Sequence, residues 1–167
     1  MLPELRRYWL ADRAAQWSYI ISRVSDSSRF GEEDALREVE THLYGAHMCV
    51  LALSHLHGCI GYLRSLGTDF PPELKAAIDA FRDQYKSAHI RDARNALEHE
   101  EDRIYGKKKK PYKGDFPNPH ITGKKSGSSR LTMIQVLDED FDLSSVIEAA
   151  IVLDGPLRQL AEQLYRR

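Results

Sequence analysis

Apolar residues recur every three or four positions over long stretches of this chain, and this period constrains the fold more than any other feature. It matches the 3.6 residues per turn of an α-helix, so each stretch predicts a helix with one apolar face. The stretches cover roughly residues 3–24, 32–67, 72–105 and 144–164. Because each apolar face needs a partner, we expect an all-α fold, an antiparallel four-helix up-down bundle.

A basic insertion separates the third and last predicted helices, over about residues 106–137. Its many glycine, proline, lysine and serine residues favour turns. Within it, "RLTMIQVL" at 130–137 predicts a strand that pairs with "HIT" at 120–122 as a short β-hairpin. Pro156, directly after Gly155, predicts a kink in the last helix or its division into two.

The composition is that of a soluble globular protein, with 42% hydrophobic and 29% charged residues. A chain of this size buries roughly 70% of the surface that its unfolded form exposes, which predicts a single domain over 1–167. No run approaches the roughly 18 consecutive apolar residues of a membrane span, so no membrane segment is expected. Cys49 and Cys59 lie about 15 Å apart along a predicted helix, too far for a disulfide. Reduced thiols and a cytoplasmic location are therefore expected.

The charge is distributed unevenly along the chain, although the total is only -1. Residues 103–130 contain nine lysines and arginines against the single acid Asp115, a net charge of +8, so the remainder carries -9. A concentrated basic segment raises the local concentration of polyanions even when the whole molecule does not attract them. Nucleic acid is therefore the expected partner.

The motif "RNALEH" at residues 94–99 lies immediately before this basic segment. At about 100° per residue, Arg91, Arg94, Asn95 and His99 share one side of the third helix. Ile90 and Ala93 fall nearly opposite, together with Leu97 and Ile104. We therefore expect the polar residues to face solvent or a second subunit, and the apolar ones to face the core.

The residue types of this motif suit phosphodiester chemistry. Histidine can accept or donate a proton near neutral pH. The planar fork of arginine matches phosphate oxygens, and asparagine one turn before the histidine can orient its ring. The neighbouring residues do not form a carboxylate-rich metal cage, so a site without metal or cofactor is expected. The alternative is a solvated charged face, in which Arg94 and Glu98 form a surface pair worth about 0.3 kcal/mol.

The basic run and a histidine cluster allow two interpretations each. Lys107, Lys108, Lys109 and Lys110 are candidates for tracking a phosphate backbone beside Arg91, with aromatic residues available for base stacking. The aromatic candidates are Tyr105, Tyr112 and Phe116. The alternative is a solvated loop that ends a helix. "HLHGC" at 55–59 contains His55, His57 and Cys59 at two-residue spacing. On a helix, side chains two residues apart point about 200° away from each other, so this motif is not predicted to bind metal.

"RNALEH" resembles the signature of the HEPN superfamily, in which a histidine follows an arginine after four to six residues and asparagine often follows the arginine directly. The resemblance rests on these six residues and on their place in a late helix of a small helical bundle. It implies an all-helical domain that forms a homodimer, so that two motifs line one cleft. In many members it also implies metal-independent cleavage of RNA, with Arg94 and His99 as the catalytic pair and Asn95 in support.

The chain departs from one subgroup of this superfamily. Toxin members that pair with small nucleotidyltransferase antitoxins usually carry a tyrosine two residues after the histidine, where this chain has Glu101. Four acidic residues, at positions 98, 100, 101 and 102, also surround His99 with negative charge, which would repel RNA. An antitoxin or other protein partner, a non-catalytic adaptor that binds nucleic acid or protein, and a purely structural dimer therefore stay open as alternatives.

Overall fold

A computed structural model of the chain describes residues 3–25, 35–98, 121–125, 131–136 and 139–166. Over these residues the protein is mostly helical and carries one small β-sheet. The elements, in chain order, are α1 (Pro3–Ser25), α2 (Ala35–Ser65), α3 (Pro72–Ser87), α4 (Ile90–Glu98), β1 (Ile121–Lys125), β2 (Leu131–Val136), β3 (Glu139–Asp142), α5 (Ser144–Val152) and α6 (Asp154–Tyr165).

The third predicted helix is divided, and the prediction of one continuous helix over 72–105 was wrong. α3 ends at Ser87 and α4 begins at Ile90. Between them His89 has a φ of 52°, in the left-handed region, where an L-residue cannot continue a right-handed helix. The His89 carbonyl then accepts the backbone N–H groups of Asp92 and Ala93, each at 3.0 Å, and so starts the new helix.

The last predicted helix is also divided, as Pro156 predicts. α5 ends at Val152, and α6 begins at Asp154 with Pro156 in its first turn. A proline is tolerated there because the N–H groups of the first turn have no partner within their helix. The Oδ1 of Asp142 accepts the Ser144 backbone N–H at 2.9 Å and its hydroxyl at 2.7 Å, which satisfies polar groups where α5 begins.

The core lies around α1, which packs against α2, α5 and α6. α3 packs mainly against α5, while α2 also contacts α4 and β1. The buried side chains of these helices are mostly apolar, as the helical period predicts, with the polar exceptions Ser18 and Ser25 on α1. The largest fully buried side chains on the helices include Phe81, Ile21, Leu53, Leu56, Ile60 and Ile147.

The sheet has the strand order β1-β2-β3 and is antiparallel throughout. The predicted hairpin is confirmed, since β1 pairs with β2 and Ile121 lies opposite Val136. β3 was not predicted, because three of its four residues are acidic and acidic residues are depleted in strands. Ile134 and Phe141 face each other across β2 and β3, and both are buried against the helices.

Within the described part of the chain, one segment is long and apolar enough to cross a membrane, Gly45–Ser65 of α2. Of the 18-residue apolar window within this segment, 44% is buried in the fold. Core helices of globular proteins meet the same criterion. The buried side of this helix includes Val50, Leu53 and Leu56, which join the central core.

Candidate functional site

α4 carries the arginine and the asparagine of the motif and turns them away from the core. Ile90 and Ala93 are fully buried, on the side where α4 packs against α2 and β2. Arg91 and Asn95 are exposed, and Arg94 is half-buried. Burial of the apolar side fixes the rotation of the helix, so the polar side points outward, as the helical period predicts.

The first turn of α4 holds a second polar cluster. The Nδ1 atom of His89 lies 3.7 Å from the Oδ2 atom of Asp92. The other carboxylate oxygen, Oδ1, lies 3.8 Å from the Nε atom of Arg91. The Asp92 carboxylate therefore sits between an imidazole and a guanidinium, one turn before Asn95.

The remaining predicted site residues lie outside the described residues. These are His99, Tyr105, Lys107, Lys108, Lys109 and Lys110. Their roles in catalysis and in RNA binding stay predictions. The structure places Arg91, Arg94 and Asn95 together on α4, and it describes the basic insertion only through β1 and β2.

Contacts between α2 and α3 hold α3, the helix that precedes α4, in place. The rings of His57 on α2 and Tyr85 on α3 stack at a centroid distance of 4.1 Å and an interplanar angle of 4°. Arg64 and Asp79 form an ion pair between the same two helices. Tyr85 also contacts the ring of Phe81, at 5.9 Å. These contacts hold α3 between Asp79 and Tyr85, and the helix ends at Ser87, shortly before α4 begins.

The His57 imidazole makes this α2–α3 contact sensitive to acid. Its pKa is lowered from 6.5, first by burial and then by the positive charges of Arg82 and Lys86. The unfolded chain therefore binds a proton more readily than the folded chain, and stability is expected to fall as the pH drops below about 6.5. His57→Gln should lose less unfolding free energy than the wild type between pH 7.5 and 5.5, as measured by urea denaturation.

His55→Gln is the matched control for this prediction, because His55 is exposed and lies on the opposite side of α2, stacked on Trp17 at 4.7 Å. This control should keep the acid sensitivity that His57 causes. An equal loss of stability in His57→Gln and in the wild type would show that the stacked imidazole does not titrate with folding.

The histidines and cysteines of α2 contact different neighbours. His55 stacks on α1, His57 stacks on α3, and Cys59 is half-buried near Arg13. Over the described ranges, no group of three His, Cys, Asp or Glu side chains could hold a metal ion.

Both cysteines are free thiols rather than activated nucleophiles. Burial raises the pKa of the Cys49 thiol to about 12. Burial also raises the pKa of Cys59, and the nearby Arg13 opposes that effect only in part. Because the thiolate is the reactive form, neither side chain is a candidate for nucleophilic chemistry.

Sequence reasoning missed His89, which the structure places at the start of α4. The residue was expected inside a continuous helix, where its side chain would have had no particular role. The local sequence marks this helix start only weakly, because histidine is not a preferred N-cap residue and the acidic Asp92 in the first turn is the one feature typical of a helix start.

Comparison of the chain with protein-family models, with curated proteins and with solved structures finds no match. The function is therefore inferred from the residues of α4 and their geometry. The resemblance of residues 94–99 to the HEPN signature enters this inference as a prediction.

Proposed function

We propose that this protein is a metal-independent endoribonuclease of the HEPN type, which cleaves RNA as a homodimer. The observation that supports this most is the rotation of α4, which buries Ile90 and Ala93 and directs Arg94 and Asn95 to the accessible side. In the alternative interpretation, a solvated charged face, any polar or charged side chains would serve equally well. An arginine and an asparagine on one accessible side, with a histidine four residues later, suit a phosphodiester substrate.

The proposed reaction is an attack of the ribose 2′-oxygen on the adjacent phosphorus. A bond forms between that oxygen and phosphorus, the bond from phosphorus to the 5′-oxygen breaks, and a 2′,3′-cyclic phosphate remains. His99 takes the proton from the 2′-hydroxyl. Arg94 stabilises the negative charge that develops on the phosphate oxygens, and Asn95 orients the histidine ring.

The quaternary arrangement and the RNA contacts belong to the same proposal. In this proposal the helices pair as an antiparallel four-helix up-down bundle, and a second copy covers the outward side of α4, so that two motifs line one cleft. RNA lies along Lys107, Lys108, Lys109 and Lys110, beside Arg91 and Tyr105. The protein acts in the cytoplasm, and an antitoxin or another protein partner regulates it.

A non-catalytic adaptor is the second candidate, and the charge of the first turn of α4 favours it. The Asp92 carboxylate lies 3.8 Å from the Arg91 guanidinium and partly offsets the attraction of that cation for phosphate. Such an adaptor would bind RNA through the basic segment without cutting it. Its binding would weaken with salt and would be lost when Lys107 to Lys110 are neutralised.

Incubation of the purified protein with RNA in the presence of a chelator separates these functions. The proposed nuclease cuts RNA under this condition, and His99→Ala does not. RNA that is bound and left intact would support the adaptor. RNA that is neither bound nor cut would reject both candidates.

A further inference from the structure

Three aromatic side chains form a continuous row where α1 packs against α6. The ring centroid of Tyr8 lies 5.6 Å from that of Trp9 and 5.3 Å from that of Tyr165. Tyr165 is 73% exposed, Trp9 is 47% exposed, and Leu5, one turn before Trp9, is 43% exposed. Tryptophan is buried to a large extent in most folded proteins, and a cluster of large apolar side chains at the surface marks a contact with another molecule.

A groove lies beside this row, between α1 and α6. Its volume is about 440 Å³, and Tyr8, Tyr165 and Asp12 are among the residues that line it. Trp9 precedes Asp12 by three residues on α1, and residues with this spacing are neighbours on a helix surface. One face of the protein therefore carries a half-exposed indole and, next to it, an open groove with aromatic walls.

The charged residues that line the groove are balanced. Two are acidic, Asp12 and Glu162, and two are basic, Arg158 and Arg166. A polyanion such as RNA is not favoured here, because the two acids oppose the attraction of the two arginines for phosphate. A surface with equal numbers of both signs is complementary to a copy of itself, since a twofold axis can place the acids of one copy opposite the arginines of the other.

We infer that this face of α1 and α6 binds the same face of a second copy, with Trp9 of each copy inserted into the groove of the other. A centre of aromatic side chains inside a polar rim is the usual anatomy of a protein–protein interface. Tryptophan, tyrosine and arginine, which are all present here, are enriched among the residues that dominate binding energy. A twofold contact buries both indoles at once, because each copy supplies the same indole and the same groove.

This contact is separate from the one proposed over α4. α4 packs against α2 and β2, whereas the aromatic face belongs to α1 and α6. The inference therefore does not rest on the proposed function, and RNA cleavage is not its readout. Where both contacts form, four copies assemble, and where this contact forms alone, two copies do.

The test compares the molar mass of the intact wild-type protein with that of Trp9→Lys, by light scattering coupled to gel filtration. Lysine places a charge at the centre of the contact without a partner, so the molar mass should fall by half. The single copy should stay folded, because the position is half-exposed and lysine is a good helix former. Circular dichroism at the helix bands checks that the helices are kept.

Tyr62→Lys is the matched control, because Tyr62 is an aromatic residue with a 63% exposed side chain on α2. It should keep the wild-type molar mass. A wild type that is a single chain, or a Trp9→Lys variant that keeps the wild-type mass, would overturn the inference. Equal dissociation of both variants would overturn it too, since an added charge would then act without regard to its position.

Tryptophan fluorescence follows the same contact without a substitution inside it. The chain has two tryptophans, so Trp17→Phe leaves Trp9 as the emitting residue. The emission of Trp9 should move to shorter wavelength as the protein concentration rises, because the contact removes the indole from water. An emission maximum that stays constant over the range in which the molar mass rises would show that Trp9 lies outside the contact.

Discussion

Arg94→Lys is expected to lower the rate of RNA cleavage by about 10²–10³-fold, the usual effect of removing one donor that stabilises transition-state charge. Lysine keeps the positive charge and most of the aliphatic stem of this half-buried side chain, so α4 should stay folded. It loses the planar fork that makes two parallel hydrogen bonds to phosphate oxygens. The measurement is the single-turnover cleavage rate, with the melting temperature recorded for each variant.

Arg166→Lys is the control for this prediction. Arg166 lies just after α6, its side chain is 80% exposed, and it pairs only loosely with Glu162 at 3.9 Å. The same chemical change there should leave both cleavage and melting unaltered. An Arg94→Lys variant that cleaves at the wild-type rate would show that a point charge is enough at position 94, and the proposed role of the guanidinium would be wrong.

Phe81→Ala is expected to lower the free energy of unfolding by about 3–5 kcal/mol, the usual cost of deleting a buried aromatic ring. Phe81 is fully buried, and it is the largest of the fully buried side chains in the part of the chain that the structure describes. It lies on α3, where it contacts the ring of Tyr85 and supports the interface with α2 and α5. Urea denaturation measures the effect.

Tyr62→Ala is the control for the core prediction, because the Tyr62 side chain is 63% exposed on α2. Its loss should change the unfolding free energy by less than about 0.5 kcal/mol. Equal effects of the two substitutions would mean that the ring of Phe81 is not in a packed core, and the packing of α3 against α5 would need revision.

Strong local signals allowed much of the fold to be predicted. The apolar period gave α1 and α2 to within a few residues, and Pro72 marked the start of α3. Pro156 marked the division between α5 and α6, since a proline removes one helical hydrogen bond and clashes with the preceding turn. In each case the residues affect only the backbone within a few positions, so the local sequence was enough to predict where the helix begins or ends.

The failures occurred where tertiary contacts override local preference. The break at His89 has neither glycine nor proline to mark it, and the flanking residues keep a helical period. The acidic sequence of β3 opposes strand formation, but Phe141 is buried opposite Ile134 and the strand completes the sheet. Strand β3 does not follow from residue preference, because it depends on pairing with β2.

The candidate site was predictable only in its orientation. The helical period placed Ile90 and Ala93 on the buried side of α4, and the structure confirms this. The contact between His89 and Asp92 was not predictable, since it depends on the left-handed conformation of one residue. The catalytic roles of Arg94, Asn95 and His99 stay predictions that only chemistry can test.

The central claim is that the motif on α4 uses the ribose 2′-hydroxyl to cut RNA without metal. Its most direct test is a defined oligoribonucleotide incubated with the protein in excess chelator, with the product ends identified by mass spectrometry. A 2′,3′-cyclic phosphate paired with a 5′-hydroxyl is predicted, with no product from His99→Ala or from an oligonucleotide that carries a 2′-deoxy residue at the cut. Products that end in a 3′-hydroxyl, or full cleavage by His99→Ala, would contradict the account.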